Sequence, residues 1–176
     1  MKVISSVCQL TVFLANHPKK GSLGFIPTMG ALHEGHASLI KKSLSQNALS
    51  ICSIFVNPTQ FNNKKDFKNY PNRLDEDIKL LREIGCDVVF TPSEEAIYPK
   101  GFPSKVFDFG LLDKVMEGAS RPGHFNGVAM VVSRLFEIIK PQRAYFGEKD
   151  FQQLAIIKSL TAQKFKSIEI IPCSTL

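Results

Sequence analysis

Short apolar runs take turns with helix-periodic stretches along most of this chain, and that alternation restricts the fold more than any other feature. Val7, Leu10, Phe13 and Leu14 are spaced for one face of a helix over residues 6–17, with Lys19-Lys20-Gly21 as its stop. Leu23-Gly24-Phe25-Ile26 reads as a strand that should end at Pro27. Residues 37–46 read as a helix with Leu39, Ile40 and Leu44 on one side, and the near-continuous apolar run 49–56 as a strand buried on both faces. Residues 57–70 are polar and turn-rich, 75–84 helical with Gly85 as the stop, and 87–90 a strand. After an irregular stretch at 96–109, a helix is expected at 125–139, a strand at 144–146, a helix at 150–161 and a last strand at 168–171. Strands separated by helices call for an α/β fold of the Rossmann-like, doubly wound class, a parallel sheet with helices on both faces. In such sheets ligands bind beyond the C-terminal ends of the strands. The segments after Ile26, Val56 and Phe146 are therefore expected to meet in one cleft.

Composition narrows the setting. The 176 residues suffice for one domain. No apolar run approaches the roughly 18 residues that span a bilayer, and Met1 to Ser6 lacks the pattern of a signal peptide. Cys8, Cys52, Cys86 and Cys173 form no CxxC pair and read as free thiols. A cytoplasmic protein without membrane contact is expected. The net charge of +6 allows a solvated basic surface or a polyanion-binding face. The basic residues form no stripe with aromatics, so no nucleic-acid partner is expected.

Three segments carry candidate chemistry. In Pro27-Thr28-Met29-Gly30-Ala31-Leu32-His33-Glu34-Gly35-His36, the glycines let backbone approach a ligand, and a helix beginning near Gly35 would turn N–H groups toward phosphate. His33 and His36, one helical turn apart, would share a side and could stabilise charge on a reacting phosphate. In Asn57-Pro58-Thr59-Gln60-Phe61, the Gln60 carboxamide can hold a hydroxy acid in one orientation. In Gly147-Glu148-Lys149-Asp150-Phe151-Gln152-Gln153, Lys149 can neutralise phosphate charge. Asp150 can cap the helix or accept ribose hydroxyls, and Gln153 turns back to the cleft. Asp75-Glu76-Asp77 either helps hold magnesium on ATP, with Asp77 as the metal candidate, or balances a helix dipole.

These strings, with Tyr70-Pro71 and the run from Glu117 to Phe125, resemble in the same order those of the pantoate–β-alanine ligase (pantothenate synthetase) family. That family is part of the HxGH nucleotidyltransferase superfamily, and the likeness spans essentially the whole chain. It implies activation of pantoate by ATP to pantoyl adenylate, then attack by the amine of β-alanine to give pantothenate and AMP. It assigns Met29, Gly30, Ala31, Leu32, His33, Glu34, Gly35 and His36 to ATP, with His36 as proton donor; the chemistry of His33 and Lys149 makes them further catalytic candidates. Gly147, Glu148, Lys149 and Asp150 would also contact ATP, Leu176 would flank the adenine, and Gln60 and Gln153 would hold pantoate. The cofactors implied are ATP and Mg2+; the partners are pantoate, β-alanine and a second copy of the chain.

Thr59 replaces the family's usual Met, and Asn72-Arg73 its usual Arg-Thr. Arg121 and His124 are read as shaping a loop or subunit contact, and the helix at 125–139 as core or dimer packing. The family continues into a Ser-Ser-Arg-Asn segment and a small closing domain that these residues do not contain. We therefore expect residues 1–176 to form the nucleotide- and pantoate-binding domain, with slow turnover when tested alone. A different HxGH nucleotidyltransferase and a non-catalytic binding or dimerisation module are the competing readings.

Overall fold

The computed structural model describes residues 1–17 and 21–174. Six strands form one sheet: β1 (Lys2–Ile4), β2 (Leu23–Thr28), β3 (Leu49–Ile54), β4 (Val88–Phe90), β5 (Arg143–Gly147) and β6 (Glu169–Cys173). Their order is β1-β4-β3-β2-β5-β6, and every pairing is parallel. The connecting helices are α1 (Val7–Asn16), α2 (Glu34–Gln46), α3 (Lys64–Lys68), α4 (Leu74–Ile84), α5 (Glu94–Ile97), α6 (Glu117–Ser120), α7 (His124–Ile139) and α8 (Phe151–Lys164). The doubly wound expectation is met.

Alternation along each strand divides the interior in two. Phe25, Ile51, Phe90, Ala144 and Phe146 point toward α1, α7 and α8. Ile26, Cys52, Val89 and Tyr145 point the other way, toward α2 and α4. The central strands carry apolar residues on both faces because helices cover both faces. Leu10 and Leu14, one turn apart on α1, are buried as their spacing requires, and Ser6 caps that helix through its hydroxyl. The α4 helix stops at Gly85 as expected. No helix among the described residues is long and apolar enough to cross a membrane.

Several boundaries differ from those read in the sequence. Strand β2 runs through Pro27 to Thr28. The carbonyl of Leu23 accepts from the Gln142 N–H, so odd-numbered residues of β2 turn their polar groups toward β5. Pro27 therefore lacks its N–H on the β5 side, where pairing has already ended at Phe25 with Ala144. Helix α2 begins at Glu34, three residues before the apolar periodicity starts. Within the polar stretch 57–70 lie a 3-10 turn (Pro58–Gln60) and α3, each started by an Asn side chain that accepts a backbone N–H. Strand β1, α5 and α6 leave no mark in the sequence, because three or four residues carry no period.

Candidate active site

From β2 the chain winds outward through β3 to β4, and from β5 it winds the other way to β6. The loops that leave β2 and β5 thus part company, opening a crevice at the strand ends. A cavity of about 560 Å³ lies there. Met29, Gly30, His33, Glu34, Gly35 and His36 line it from the first loop; Asn57 and Gln60 from the segment after β3; and Gly147, Lys149, Asp150 and Gln153 from the segment after β5. The three segments converge as the strand order requires. The helix α7, read from the sequence as core or dimer packing, also contributes Val128, Val131, Val132 and Leu135 to the cavity wall. Its apolar stripe is wide enough to serve the core and the site together.

The first loop is held from behind. The Thr28 hydroxyl donates to the Ser53 carbonyl at 2.7 Å and accepts from the Gly30 N–H at 3.3 Å. Gly30 has φ +84°, and a Cβ there would stand 2.9 Å from Asp77 Oδ2. Ala31 is also left-handed, at φ 51°. The N–H groups of Ala31 and Leu32 donate to the two carboxylate oxygens of Asp77, at 2.9 and 2.7 Å. This geometry bears on three expectations. Ala31 and Leu32 do not line the cavity, because their N–H groups turn inward. Asp77 is 3 % exposed with both oxygens engaged, so it clamps the loop rather than pointing into solvent. Among the described residues no three His, Cys, Asp or Glu gather to hold a metal ion.

The two imidazoles define one another. His33 occupies the N-cap of α2, where its Nδ1 accepts the Gly35 N–H at 3.1 Å. His36 Nδ1 in turn accepts the His33 N–H at 3.3 Å. The expected free N–H of Gly35 is therefore already used. A Cβ on Gly35 would meet His33 Cε1 at 2.8 Å, which is why only glycine fits between the histidines. The rings lie 4.2 Å apart between centroids. Burial, with His33 alongside, holds the His36 pKa down to about 4, although Asp77 pulls it upward. His36 is then neutral near pH 7. With Nδ1 accepting, each ring in its neutral form carries its proton on Nε2.

From the segment after β3, Gln60 is 7 % exposed. Its Nε2 donates to Met29 Sδ at 3.0 Å, and its Oε1 accepts from Asn57 Nδ2 at 3.1 Å. Its backbone carbonyl accepts from His124 Nδ1 at 2.8 Å. His124 is buried, which lowers its pKa, while Glu117 and the Gln60 carbonyl oppose that shift. Arg121 pairs with Glu117 at 2.6 Å. Neither Arg121 nor His124 lines the cavity. Asn57 and Tyr70 do, although the sequence assigned them no part; an Asn-Pro after a buried strand was the available signal for Asn57.

Beyond β5, the exposed Lys149 and Asp150 face the cavity, with Gln153 one turn inward. Asp150 holds the N-cap position of α8 but makes no capping bond, leaving its oxygens available. Glu148 does not line the cavity, because its backbone N–H is drawn to the Cys173 carbonyl at 2.9 Å. Gln152, unassigned from sequence, is buried; it donates to the Leu112 and Val115 carbonyls and accepts the Glu117 N–H. Leu176 lies outside the described residues, as do Lys19 and Lys20.

Known proteins share this chain's sequence and fold. Residues 2–176 match the family described as pantoate-beta-alanine ligase. The pantothenate synthetase of Cytophaga hutchinsonii is 53% identical over 171 residues, covering 97% of this chain and 60% of the relative. That of Bacteroides fragilis is 52% identical over 174 residues, covering 98% and 61%. The chain thus spans about three fifths of the length of the curated relatives it matches. The crystal structure of the Thermus thermophilus pantothenate synthetase superposes with a TM-score of 0.93 at 44% identity, covering 100% of this chain and 62% of that one. The Francisella tularensis pantoate-beta-alanine ligase, solved with beta-gamma ATP and beta-alanine, gives a TM-score of 0.96 at 46% identity, covering 100% and 67%. The chain belongs to the pantoate–β-alanine ligase family.

Proposed function

We propose that the cavity between β2 and β5 binds ATP and pantoate and serves the ATP-dependent joining of pantoate to β-alanine. The observation that carries this reading is that one cavity is lined by two kinds of chemistry. The His33 and His36 imidazoles and Lys149 line it, and so do the Gln60 and Gln153 carboxamides and the apolar Val128, Val131, Val132 and Leu135 of α7. A triphosphate suits the first and a small branched hydroxy acid the second. In the first step a pantoate carboxylate oxygen attacks the α-phosphorus and the bond to the bridging oxygen breaks, releasing pyrophosphate. In the second the β-alanine nitrogen attacks the acyl carbon, AMP leaves, and the amine loses a proton.

The Nε2–H groups of His33 and His36, with Lys149, are positioned to donate to oxygens on which charge builds. At a His36 pKa of about 4, stabilisation by a neutral donor is favoured over full proton transfer. Magnesium enters this reading as the counter-ion carried on ATP. A homodimer and a cytoplasmic location are part of the same proposal. Exposed Leu111, Met116 and Phe151 support the first, and four free cysteines support the second. Calorimetry with pantoate, ATP-magnesium and β-alanine, alone and in sequence, tests it, together with pantoate-dependent pyrophosphate release. Nucleotide binding without any pantoate binding would instead favour a different nucleotidyltransferase.

A further inference from the structure

Tyr98 lies beyond α5, outside the cavity lining, and nothing in the sequence marks it. Its ring sits edge-on to Phe55 at 6.3 Å and beside Phe102 at 5.5 Å. Arg134 lies over the Phe102 ring and donates to the Ile97 carbonyl at 3.1 Å, fastening the residue before Tyr98. So held, the Tyr98 hydroxyl donates to Asn57 Oδ1 at 2.9 Å. The Thr59 hydroxyl donates to the same oxygen at 2.9 Å, and the Thr59 N–H does so at 3.3 Å. Three donors thus converge on one carboxamide oxygen of a residue that is 0 % exposed. The other end of that carboxamide, Nδ2, donates to the Gly127 carbonyl and to Gln60 Oε1, each at 3.1 Å.

We infer that Tyr98, seconded by Thr59, is a positioning residue that fixes which end of the Gln60 carboxamide faces the substrate. The inference rests on the reading of this cavity as a pantoate site. With its oxygen engaged by Asn57, Gln60 turns its N–H groups toward Met29, which lines the cavity. One of these meets the Met29 sulfur at 3.0 Å, a weak acceptor that a hydroxyl or carboxylate oxygen readily replaces. The pocket therefore selects a ligand with an acceptor oxygen at that point. If Asn57 turned over, its oxygen would face the Gly127 carbonyl with no proton between them, and Gln60 would have to turn as well. Burial raises the Tyr98 pKa to about 12, so its hydroxyl keeps its donor proton throughout the working range.

The test uses Tyr98→Phe, Thr59→Val and the double variant of the full chain, with two readouts. In calorimetry, pantoate binding should weaken about fivefold in Tyr98→Phe and about twentyfold in the double variant. ATP binding should stay within about twofold of the parent, since neither Tyr98 nor Thr59 lines the cavity. In nuclear magnetic resonance of the ligand-free chain, the side-chain amide signals of Asn57 and Gln60 should be single and sharp in the parent. They should broaden or double in the variants, and Thr59→Ser should restore those lost in Thr59→Val. Equal loss of pantoate and ATP affinity would mark a general structural defect and overturn the inference, as would unchanged amide signals in the double variant. A parent chain that binds no pantoate would sink the proposed function, and the amide signals would still decide whether Tyr98 positions Gln60.

Discussion

Replacing Asp77 separates a structural clamp from a metal ligand. Its carboxylate accepts the N–H groups of Ala31 and Leu32 at 2.9 and 2.7 Å and is 3 % exposed. A hydrogen bond to a charged group contributes about 1.5–3 kcal/mol. Both donors are only part-buried, so water can partly replace the lost acceptor. An acidic side chain in the first turn of α4 adds a few tenths of a kcal/mol through the helix dipole. Asp77→Ala should therefore cost about 3 kcal/mol. For a domain of this size that lowers the melting temperature by about 6–12 °C. Asp77→Asn, which keeps one acceptor but turns an NH2 group on the second donor, should cost about 2 kcal/mol. Calorimetric melting in chelator and again with magnesium is the assay. The clamp predicts the full loss in both. If Asp77→Ala melts with the parent in chelator while magnesium-dependent nucleotide binding disappears, the clamp argument fails and the metal role returns.

Other outcomes follow from the same geometry. Folded His36 has a pKa of about 4, below the ordinary value of 6.5, so the unfolded chain takes up the proton first as pH falls. The stability tied to this residue should be fully present above pH 6.5 and decline toward pH 4, by on the order of 2 kcal/mol after discounting for partial exposure. His36→Gln should remove that slope from the pH dependence of unfolding, and a ring titration midpoint near 6.5 in the free chain would contradict the burial argument. Gly35→Ala places a methyl 2.8 Å from His33 Cε1. It should weaken ATP about tenfold while helix propensity offsets the strain, leaving stability nearly unchanged; equal ATP affinity would refute the packing claim. Lys149→Ala, at an exposed position, should weaken ATP about tenfold without moving the melting temperature by more than about 1 °C. Phe136→Ala should cost about 3–5 kcal/mol in denaturant unfolding, because its 1 % exposed ring packs against both Phe25 and Phe165.

What could be read in the sequence follows the physics of period and position. Helices such as α1 and α7 declare themselves because burial imposes a repeat on many residues. The site segments were legible because each follows a strand, and strand ends are where a parallel sheet gathers its loops. The partnership of Asp77 with Ala31 and Leu32 was not legible, since it joins residues 46 and 45 positions apart through side-chain direction alone. Tyr98 escaped for the same reason, reaching Asn57 across 41 positions. The acids of α4 looked like metal ligands because an inward and an outward carboxylate are spelled alike. The double use of α7 was hidden because apolar residues packing a core and those walling a cavity carry the same pattern.

The meeting of β2 and β5 has a mechanical consequence. Beside β3, β2 is paired along all six residues, but beside β5 the rungs stop after Gly24 and Phe25. The next residue turned toward β5 is Pro27, which has no proton to offer. The two strands therefore behave like a zipper with a missing tooth. At this point β2 has no donor with which to extend its pairing to β5. A residue with an amide N–H at position 27 would offer β5 one more donor beside the crevice, a tooth that Pro27 withholds.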